Sequence, residues 1–166
     1  MAYKELFILR HAKSSWDTPN MDDIDRELTT RGIHDSYTMA NRLKKTLKSV
    51  DLIISSHANR ALHTATIFAR VIEYPYEKIR ITSKLYEISE AQLVSFINDL
   101  PDEISRVVII GHNPTFTFFV NRFLTTRIDN IPTAGLVGLS FNTPQWKDIS
   151  KENLQSSLFE FPKKEH

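Results

Sequence analysis

Two side chains able to act on an anion, Arg10 and His11, follow directly after the apolar run of residues 6–9. A short run of this kind is typical of a strand that is buried on both faces, so its end is held rigidly at the edge of a sheet. In open α/β sheets, ligands bind outside the carboxyl ends of the strands. A cation beside a potential nucleophile at that edge indicates chemistry on a phosphate or a carboxylate.

Two later apolar runs are followed by side chains of the same kinds. His57 and Arg60 come after one of them, and His112 and Asn113 come after another. Asn113 is a suitable N-cap and Pro114 a suitable first helical residue, which would place His112 near the positive end of a helix dipole. One such residue alone is more often an ordinary surface group. Because the carboxyl ends of parallel strands share one edge, we expect these side chains to converge.

The elements that would position these residues alternate between strand and helix. Short apolar runs predict strands at residues 4–9, 51–55, 78–82, 106–110 and 134–142. Apolar residues spaced three or four apart predict helices at residues 30–48, 58–73, 90–100 and 115–124. Residues 143–161 resemble a hairpin that adds an antiparallel edge strand. The sequence therefore predicts a single domain over residues 1–166, a three-layer α/β/α fold with a doubly wound, mostly parallel sheet.

The composition excludes several classes of protein. The 166 residues carry 21 Lys and Arg against 20 Asp and Glu, and this balance argues against a nucleic-acid partner. The chain has no cysteine, so disulfides, thiolate chemistry and cysteine-ligated metals are excluded. We see no signal-peptide layout and no apolar stretch near the roughly 20 residues that a membrane span needs. We expect a cytoplasmic protein without a membrane partner, and the oligomeric state stays open.

A metal site is the main competing interpretation of the histidines. His11, His57 and His112 could together ligate a cation, but no Asp or Glu lies among the three strand-end motifs and the neighbouring arginines would repel it. Two phosphate-binding motifs are also absent, because the chain has no P-loop and its four glycines cannot form a dinucleotide fingerprint. We therefore expect neither a metal nor a cofactor.

Several stretches in a fixed order carry a resemblance to a known family. They are residues 7–16, 25–32, 55–65, 111–114 and 132–134. With these stretches the chain resembles the histidine phosphatase superfamily, whose phosphoglycerate mutase-like members open with a strand ending in Arg-His-Gly. Here Ala12 replaces that glycine. The first stretch looks most like the small bacterial phosphohistidine phosphatase branch, and the resemblance implies a phosphoglycerate mutase-like fold.

The resemblance implies roles for individual residues. His11 corresponds to the nucleophile that becomes phosphorylated, and Arg10, Arg60 and His112 correspond to the phosphate pocket. Glu87 fits the family's Leu-x-Glu motif, which supplies a proton donor, although the Trp-Glu-Gly pattern that follows in mutases is absent. Neighbouring polar side chains expected to contact the substrate are Lys13, Ser14, His57 and Asn113.

The function predicted from the residues and the resemblance is a metal-independent phosphatase with a phosphohistidine intermediate on His11. Only residues 74–105 separate the second predicted helix from the fourth strand, so no large insertion is available to close over the site. An open rim suits a phosphohistidine carried on a protein partner. The alternatives are a phosphomonoesterase or mutase acting on a small phosphate ester, and a noncatalytic phosphate-binding module.

Overall fold

A six-stranded sheet runs through the part of the chain that this computed structural model describes, residues 3–164. Its strands, in chain order, are β1 Lys4–Arg10, β2 Leu52–Ser56, β3 Arg80–Thr82, β4 Arg106–Gly111, β5 Leu136–Phe141 and β6 Leu154–Glu160. They lie in the order β3-β2-β4-β1-β5-β6. The first four in this order are parallel, whereas β5 is antiparallel to β1 and β6 is antiparallel to β5. The mostly parallel sheet with an antiparallel edge strand is therefore confirmed.

Within residues 3–164, four α-helices connect these strands. They are α1 Thr30–Leu47, α2 Asn59–Ile72, α3 Glu90–Asn98 and α4 Thr115–Asn121. Each lies inside its predicted segment and is shorter by one to three residues. None of the helices in the described part of the chain is both long enough and apolar enough to span a membrane.

Apolar side chains cover both faces of the sheet. Along β1, Leu6 and Ile8 pack into a cluster with α3 and α4. Phe7 and Leu9, which alternate with them, pack on the opposite face into a cluster with α1 and α2. A strand covered on both faces needs apolar residues at every position, which explains the continuous run seen in the sequence. The three-layer α/β/α architecture is confirmed.

Two strands are shorter than predicted. The strand predicted at residues 78–82 begins only at Arg80, because Tyr76–Lys78 forms a 3-10 turn. The strand predicted at residues 134–142 begins only at Leu136. Its first predicted residue, Ala134, adopts the left-handed backbone conformation with φ of 61°, which ends the extended chain there.

The tail after β5 contributes one strand to the sheet. Trp146–Asp148 forms a 3-10 turn, and Trp146 is buried with its indole Nε1 donating to the Ile104 carbonyl at 2.7 Å. The chain then returns as β6, so the hairpin joins β5 to β6.

The start of α4 also differs from the prediction. The helix begins at Thr115, and Pro114 occupies the N-cap position in place of Asn113. Asn113 still contributes, because its Oδ1 accepts hydrogen bonds from the N–H of Thr117 at 3.2 Å and from the Thr117 hydroxyl at 2.9 Å. The capping side chain therefore lies one residue further from the helix than expected.

The two central strands end side by side. Arg10 is paired with Gly111 in the register of β1 and β4, and the N–H of His11 donates to the Gly111 carbonyl at 3.0 Å. Gly111 must lack a side chain, because a Cβ there would lie 2.6 Å from the ring of Phe116. This close approach lets α4 pack under the strand end, so that His11 and His112 leave the sheet next to each other.

Candidate active site

A cavity of about 460 Å³ lies at the carboxyl edge of the sheet. Seven of the nine residues predicted for the site line it: Arg10, His11, Lys13, Ser14, Arg60, His112 and Asn113. These residues come from the ends of β1 and β4, the loops after them and the first turn of α2. The convergence expected from the strand ends is present in the structure.

His11 is only 8% exposed and is held by hydrogen bonds at its N–H, its carbonyl and its ring. Its carbonyl accepts from the N–H of Ala134 at 3.1 Å. Its ring Nδ1 lies 2.7 Å from the carbonyl of Ala12, so Nδ1 carries the proton and donates while Nε2 keeps its lone pair. Burial lowers the pKa of His11 to about 3, and the positive Arg60 and Arg10 add to this, outweighing the opposing hydrogen bond to Ala12. The imidazole is therefore neutral at physiological pH.

His112 lies against His11, with ring centroids 5.3 Å apart. Its Nε2 is 2.8 Å from the Oγ of Ser56, a buried residue at the end of β2. Its Nδ1 is buried and has no hydrogen-bond partner. Burial lowers the pKa of His112 to about 4, with the charges of Arg60 and Arg10 acting in the same direction. This second imidazole is also neutral near pH 7.

The two arginines are anchored through their terminal nitrogens. Arg10 Nη1 donates to the carbonyl of Ile131 at 2.8 Å. Arg60, only 6% exposed, donates from Nη1 to the carbonyl of Asp23 at 2.7 Å and from Nη2 to Asp23 Oδ2 at 3.0 Å. The Nε of each guanidinium is buried without a partner. Because a buried donor left unpaired costs about 1–3 kcal/mol, an anion placed among these nitrogens would relieve that cost.

Asp23 was not predicted, yet its carboxylate connects the walls of the cavity. It accepts from Arg26 Nη1 at 2.9 Å, from Arg60 Nη2 and from the hydroxyl of Tyr86. Desolvation raises the pKa of Asp23, but the hydrogen bonds from Tyr86, Arg26 and Arg60 together hold it well below its usual range. The carboxylate is therefore ionised. Asp23 lies in a 3-10 turn that has no hydrophobic periodicity. The one sequence signal for a role in the site was its position, two residues before a stretch that carries the family resemblance.

Tyr86 is the second residue that sequence reasoning missed. Its ring meets the ring of His112 edge-on at 5.5 Å and that of His57 at 5.4 Å. The adjacent Glu87 is exposed and lines a different cavity of about 660 Å³. The structure therefore brings neither Glu87 nor His57 into the cavity that contains His11, and the role of Glu87 as proton donor stays a prediction.

The remaining residues predicted to contact the substrate differ in their exposure and in their hydrogen bonds. Lys13 is exposed at the mouth of the cavity. Ser14 is buried, and its Oγ accepts from Nη2 of Arg26. The amide nitrogen of Asn113 donates to the Asn130 side chain at 2.8 Å and to the Ile131 carbonyl at 3.0 Å. In residues 3–164, no three His, Cys, Asp or Glu side chains are grouped so that they could hold a metal ion.

Comparison with known proteins identifies the family. The model of the histidine phosphatase superfamily (branch 1) matches residues 6–93. An uncharacterized protein of Mycobacterium leprae is 27% identical over 93% of this chain and 100% of its own length.

Solved structures share the fold. A protein of Agrobacterium tumefaciens assigned as the phosphohistidine phosphatase SixA is 27% identical, with a TM-score of 0.71 over 82% of this chain and 90% of that one. The protein histidine phosphatase SixA complexed with tungstate gives a TM-score of 0.74 at 20% identity, over 95% of this chain and 97% of that one. The family match covers more than half of the chain, and the protein therefore belongs to the histidine phosphatase superfamily, branch 1, and is a phosphatase hydrolase.

Proposed function

We propose that the protein is a metal-independent phosphatase that forms a phosphohistidine intermediate on His11 and takes the phosphoryl group from phosphohistidine on a protein partner. One observation carries this proposal. The imidazole of His11 is neutral, and it lies in a cavity where Arg10, Arg60 and His112 each have a buried nitrogen without a partner. This pairs a nucleophile with a binding site for an oxyanion.

The first step is attack of His11 Nε2 on phosphorus. The hydrogen bond from Nδ1 to Ala12 holds the ring in the tautomer that leaves Nε2 unprotonated. A bond forms between Nε2 and phosphorus while the bond from phosphorus to the leaving group breaks. The guanidiniums of Arg10 and Arg60 neutralise charge on the equatorial oxygens, so the chemistry needs no metal.

His112 serves as a neutral hydrogen-bond donor in this scheme. When the Ser56 hydroxyl donates to Nε2 of His112, the ring proton lies on Nδ1, the buried nitrogen without a partner. That N–H can then donate to a phosphoryl oxygen. In the second step, water attacks the phosphohistidine, the bond between phosphorus and His11 Nε2 breaks, and inorganic phosphate leaves.

The carboxylates around the site favour a phosphoramidate over an alkyl ester. Asp23 is ionised and bonded to Arg60, Arg26 and Tyr86, and Glu87 lines another cavity, so neither is placed to protonate a leaving group. Asp17, the carboxylate that does line the cavity of His11, is exposed to solvent, whereas His11 is buried. An alkoxide needs such a proton in order to leave. The imidazole of a substrate phosphohistidine departs once its own ring is protonated and depends less on an acid from the enzyme.

The open surroundings of the cavity support a protein substrate. Between α2 and β4 the chain forms only two 3-10 turns, the short β3 and α3, and no residue of these elements lines the cavity of His11. The A. tumefaciens protein named as a phosphohistidine phosphatase has the same fold, and the SixA bound to tungstate holds a tetrahedral oxyanion. The first of these likenesses supports phosphohistidine as the substrate, and the second supports an oxyanion as the group bound at this site.

The experiment that tests this proposal traps the intermediate. The enzyme is incubated in EDTA with a ³²P-labelled phosphohistidine protein and quenched early in turnover. We expect label on wild type that is stable in alkali and lost in acid, as for a phosphohistidine. We expect no label on His11→Ala, with turnover reduced on the order of 10⁴-fold or more.

The matched control is His63→Ala, an exposed histidine on α2 that does not line the cavity, which should label and turn over like wild type. Equal turnover by His11→Ala, or loss of activity in EDTA, would exclude the mechanism. Turnover restricted to small phosphate esters would leave the mechanism intact and exclude the protein substrate.

A further inference from the structure

We propose that Lys13, Arg31 and Lys163 form a cationic shelf that binds acidic residues flanking the phosphohistidine of the protein substrate. The inference rests on the proposed function and adds the chemistry by which the partner is recognised. Arg31 and Lys163 do not line the cavity that contains His11, whereas Lys13 lines both cavities.

The shelf lies beside the site described above. Its three cations line a separate cavity of about 290 Å³, which also contains Asp35. Lys13 and Thr133 line both this cavity and the one that contains His11. A peptide whose phosphohistidine enters the first cavity can therefore place its neighbouring residues over the second.

The charge of the shelf is unlike that of the whole chain. The protein is almost balanced, with a net charge of +1, whereas the shelf has three cations and one carboxylate. That carboxylate, on Asp35, is mostly covered at 15% exposure and lies 3.7 Å from Nε of Arg31, which is 54% exposed. Surface pairs of this kind contribute little binding energy, so Arg31 stays available to a second carboxylate.

Three distant segments are tied together to make the shelf. The carbonyl of Lys13 accepts from the N–H of Thr29 at 2.9 Å, and a Cβ on Gly32 would lie 2.2 Å from that same carbonyl. Gly32 therefore allows the first turn of α1, which carries Arg31, to contact the loop after β1. Further along α1, Arg42 Nη1 donates to the carbonyl of Phe161 at 2.8 Å and holds the segment that leads to Lys163.

The exposure of these cations indicates the kind of ligand. In the cavity of His11, buried donors without partners suit one tightly held phosphoryl group. On the shelf, Lys13, Arg31 and Lys163 are all exposed, so they suit the mobile carboxylates of Asp and Glu side chains. Charges of this kind raise association rates and favour partners of opposite sign more than they add affinity.

The test uses two phosphohistidine peptides, one with three Glu and one with three Gln on each side of the phosphohistidine. For wild type we expect kcat/KM about tenfold higher for the Glu peptide, with the difference shrinking as salt is added. In the double variant Arg31→Glu, Lys163→Glu the shelf has one cation and three carboxylates, so the preference for the Glu peptide should be lost or reversed, while kcat/KM for the Gln peptide changes less than twofold. Asp35→Asn should act in the opposite direction and strengthen the preference.

The matched control is Lys45→Glu, an exposed charge reversal on the same helix, roughly 20 Å from Arg31 along the axis. It should keep the wild-type preference. Equal rates for the two peptides with wild type, or a preference that survives in the double variant, would overturn the shelf and leave the proposed function standing. Failure of wild type to hydrolyse either peptide, with phosphate esters still turned over, would overturn the shelf and the protein substrate and leave the mechanism at His11 standing.

Discussion

Two neighbouring cavities of this protein differ in whether the polar side chains that line them are exposed or buried. The larger, about 660 Å³, is lined by exposed side chains such as Arg80, Lys84 and Glu87. The smaller, about 460 Å³, is lined by the buried His11 and Arg60. Tyr86 stands between them, since it lines the larger cavity and its ring contacts His112 of the smaller. Volume alone would select the larger cavity, which His11 does not line.

The two cavities differ in how much the burial of their polar side chains destabilises the folded state. Burying a charged or titratable group is unfavourable unless its hydrogen bonds are satisfied. The smaller cavity keeps buried nitrogens on Arg10, Arg60 and His112 that have no partner, and this arrangement is retained where it serves binding or catalysis. The exposed groups of the larger cavity carry no such cost. Buried polar groups with unused hydrogen-bonding capacity therefore mark the chemistry.

The largest expected effect separates the two cavities directly. Arg60→Ala removes a buried cation that faces the phosphoryl group in the proposed mechanism, and it should lower kcat/KM about 10²–10³-fold. Arg80→Ala removes an exposed cation from the larger cavity and should change kcat/KM less than twofold. Steady-state turnover of p-nitrophenyl phosphate measures both, with circular dichroism to verify folding. Similar losses in the two variants would contradict the assignment.

The second prediction concerns acid stability. The pKa values of His11 and His112, about 3 and 4, lie below the value of about 6.5 for an unfolded histidine. Between these values the unfolded state binds more protons, so the free energy of unfolding is highest above pH 6.5 and falls as the pH decreases. Each histidine should contribute about 1.4 kcal/mol per pH unit over that window.

Urea titrations at several pH values between 7 and 4.5 measure this slope. His112→Gln removes one of the two groups and should reduce the slope by about half. His63→Gln, a change at an exposed histidine on α2, is the matched control and should keep the wild-type slope. A slope unaffected by His112→Gln would show that other groups cause the acid sensitivity.

The residues of these two cavities show which parts of the site could be predicted from the sequence. The positions of Arg10, His11 and His112 could be predicted because buried parallel strands are easily recognised and their carboxyl ends must share one edge. Arg60 could be placed because it opens the helix after β2. These placements follow from secondary structure alone.

Asp23 and Tyr86 could not be predicted, because their contacts join loops that are far apart in the chain. Asp23 meets Arg60 across 37 residues and Tyr86 across 63, and no periodicity fixes such pairings. Glu87 shows that even the placement of two adjacent residues could not be predicted. A turn with a left-handed residue, φ of 55° at Glu87, leaves Tyr86 beside His112 and Glu87 in the other cavity.

A smaller effect is expected from the carboxylate that orients Arg60. Asp23→Asn keeps a hydrogen-bond acceptor but removes the charge that pairs with Arg60 and Arg26, and we expect kcat/KM to fall about tenfold. Asp99→Asn, an exposed carboxylate of the larger cavity, should have less than a twofold effect. If both variants match wild type, the bond to Asp23 does not position Arg60.

The smallest effect is expected at Glu87. Glu87→Gln should change turnover of a phosphohistidine peptide less than twofold, because that leaving group needs little help from an acid and Glu87 lies outside the cavity of His11. Alkyl phosphates test the role of Glu87 more directly than the peptide does, since their alkoxide must be protonated as it leaves. Asp17, a carboxylate at the mouth of the smaller cavity, provides the matched variant Asp17→Asn. A fall of tenfold or more that is confined to alkyl phosphates and to Glu87→Gln would establish Glu87 as the proton donor. It would also mean that the turn carrying Tyr86 rearranges during catalysis, because Glu87 could reach the leaving group only by leaving the larger cavity.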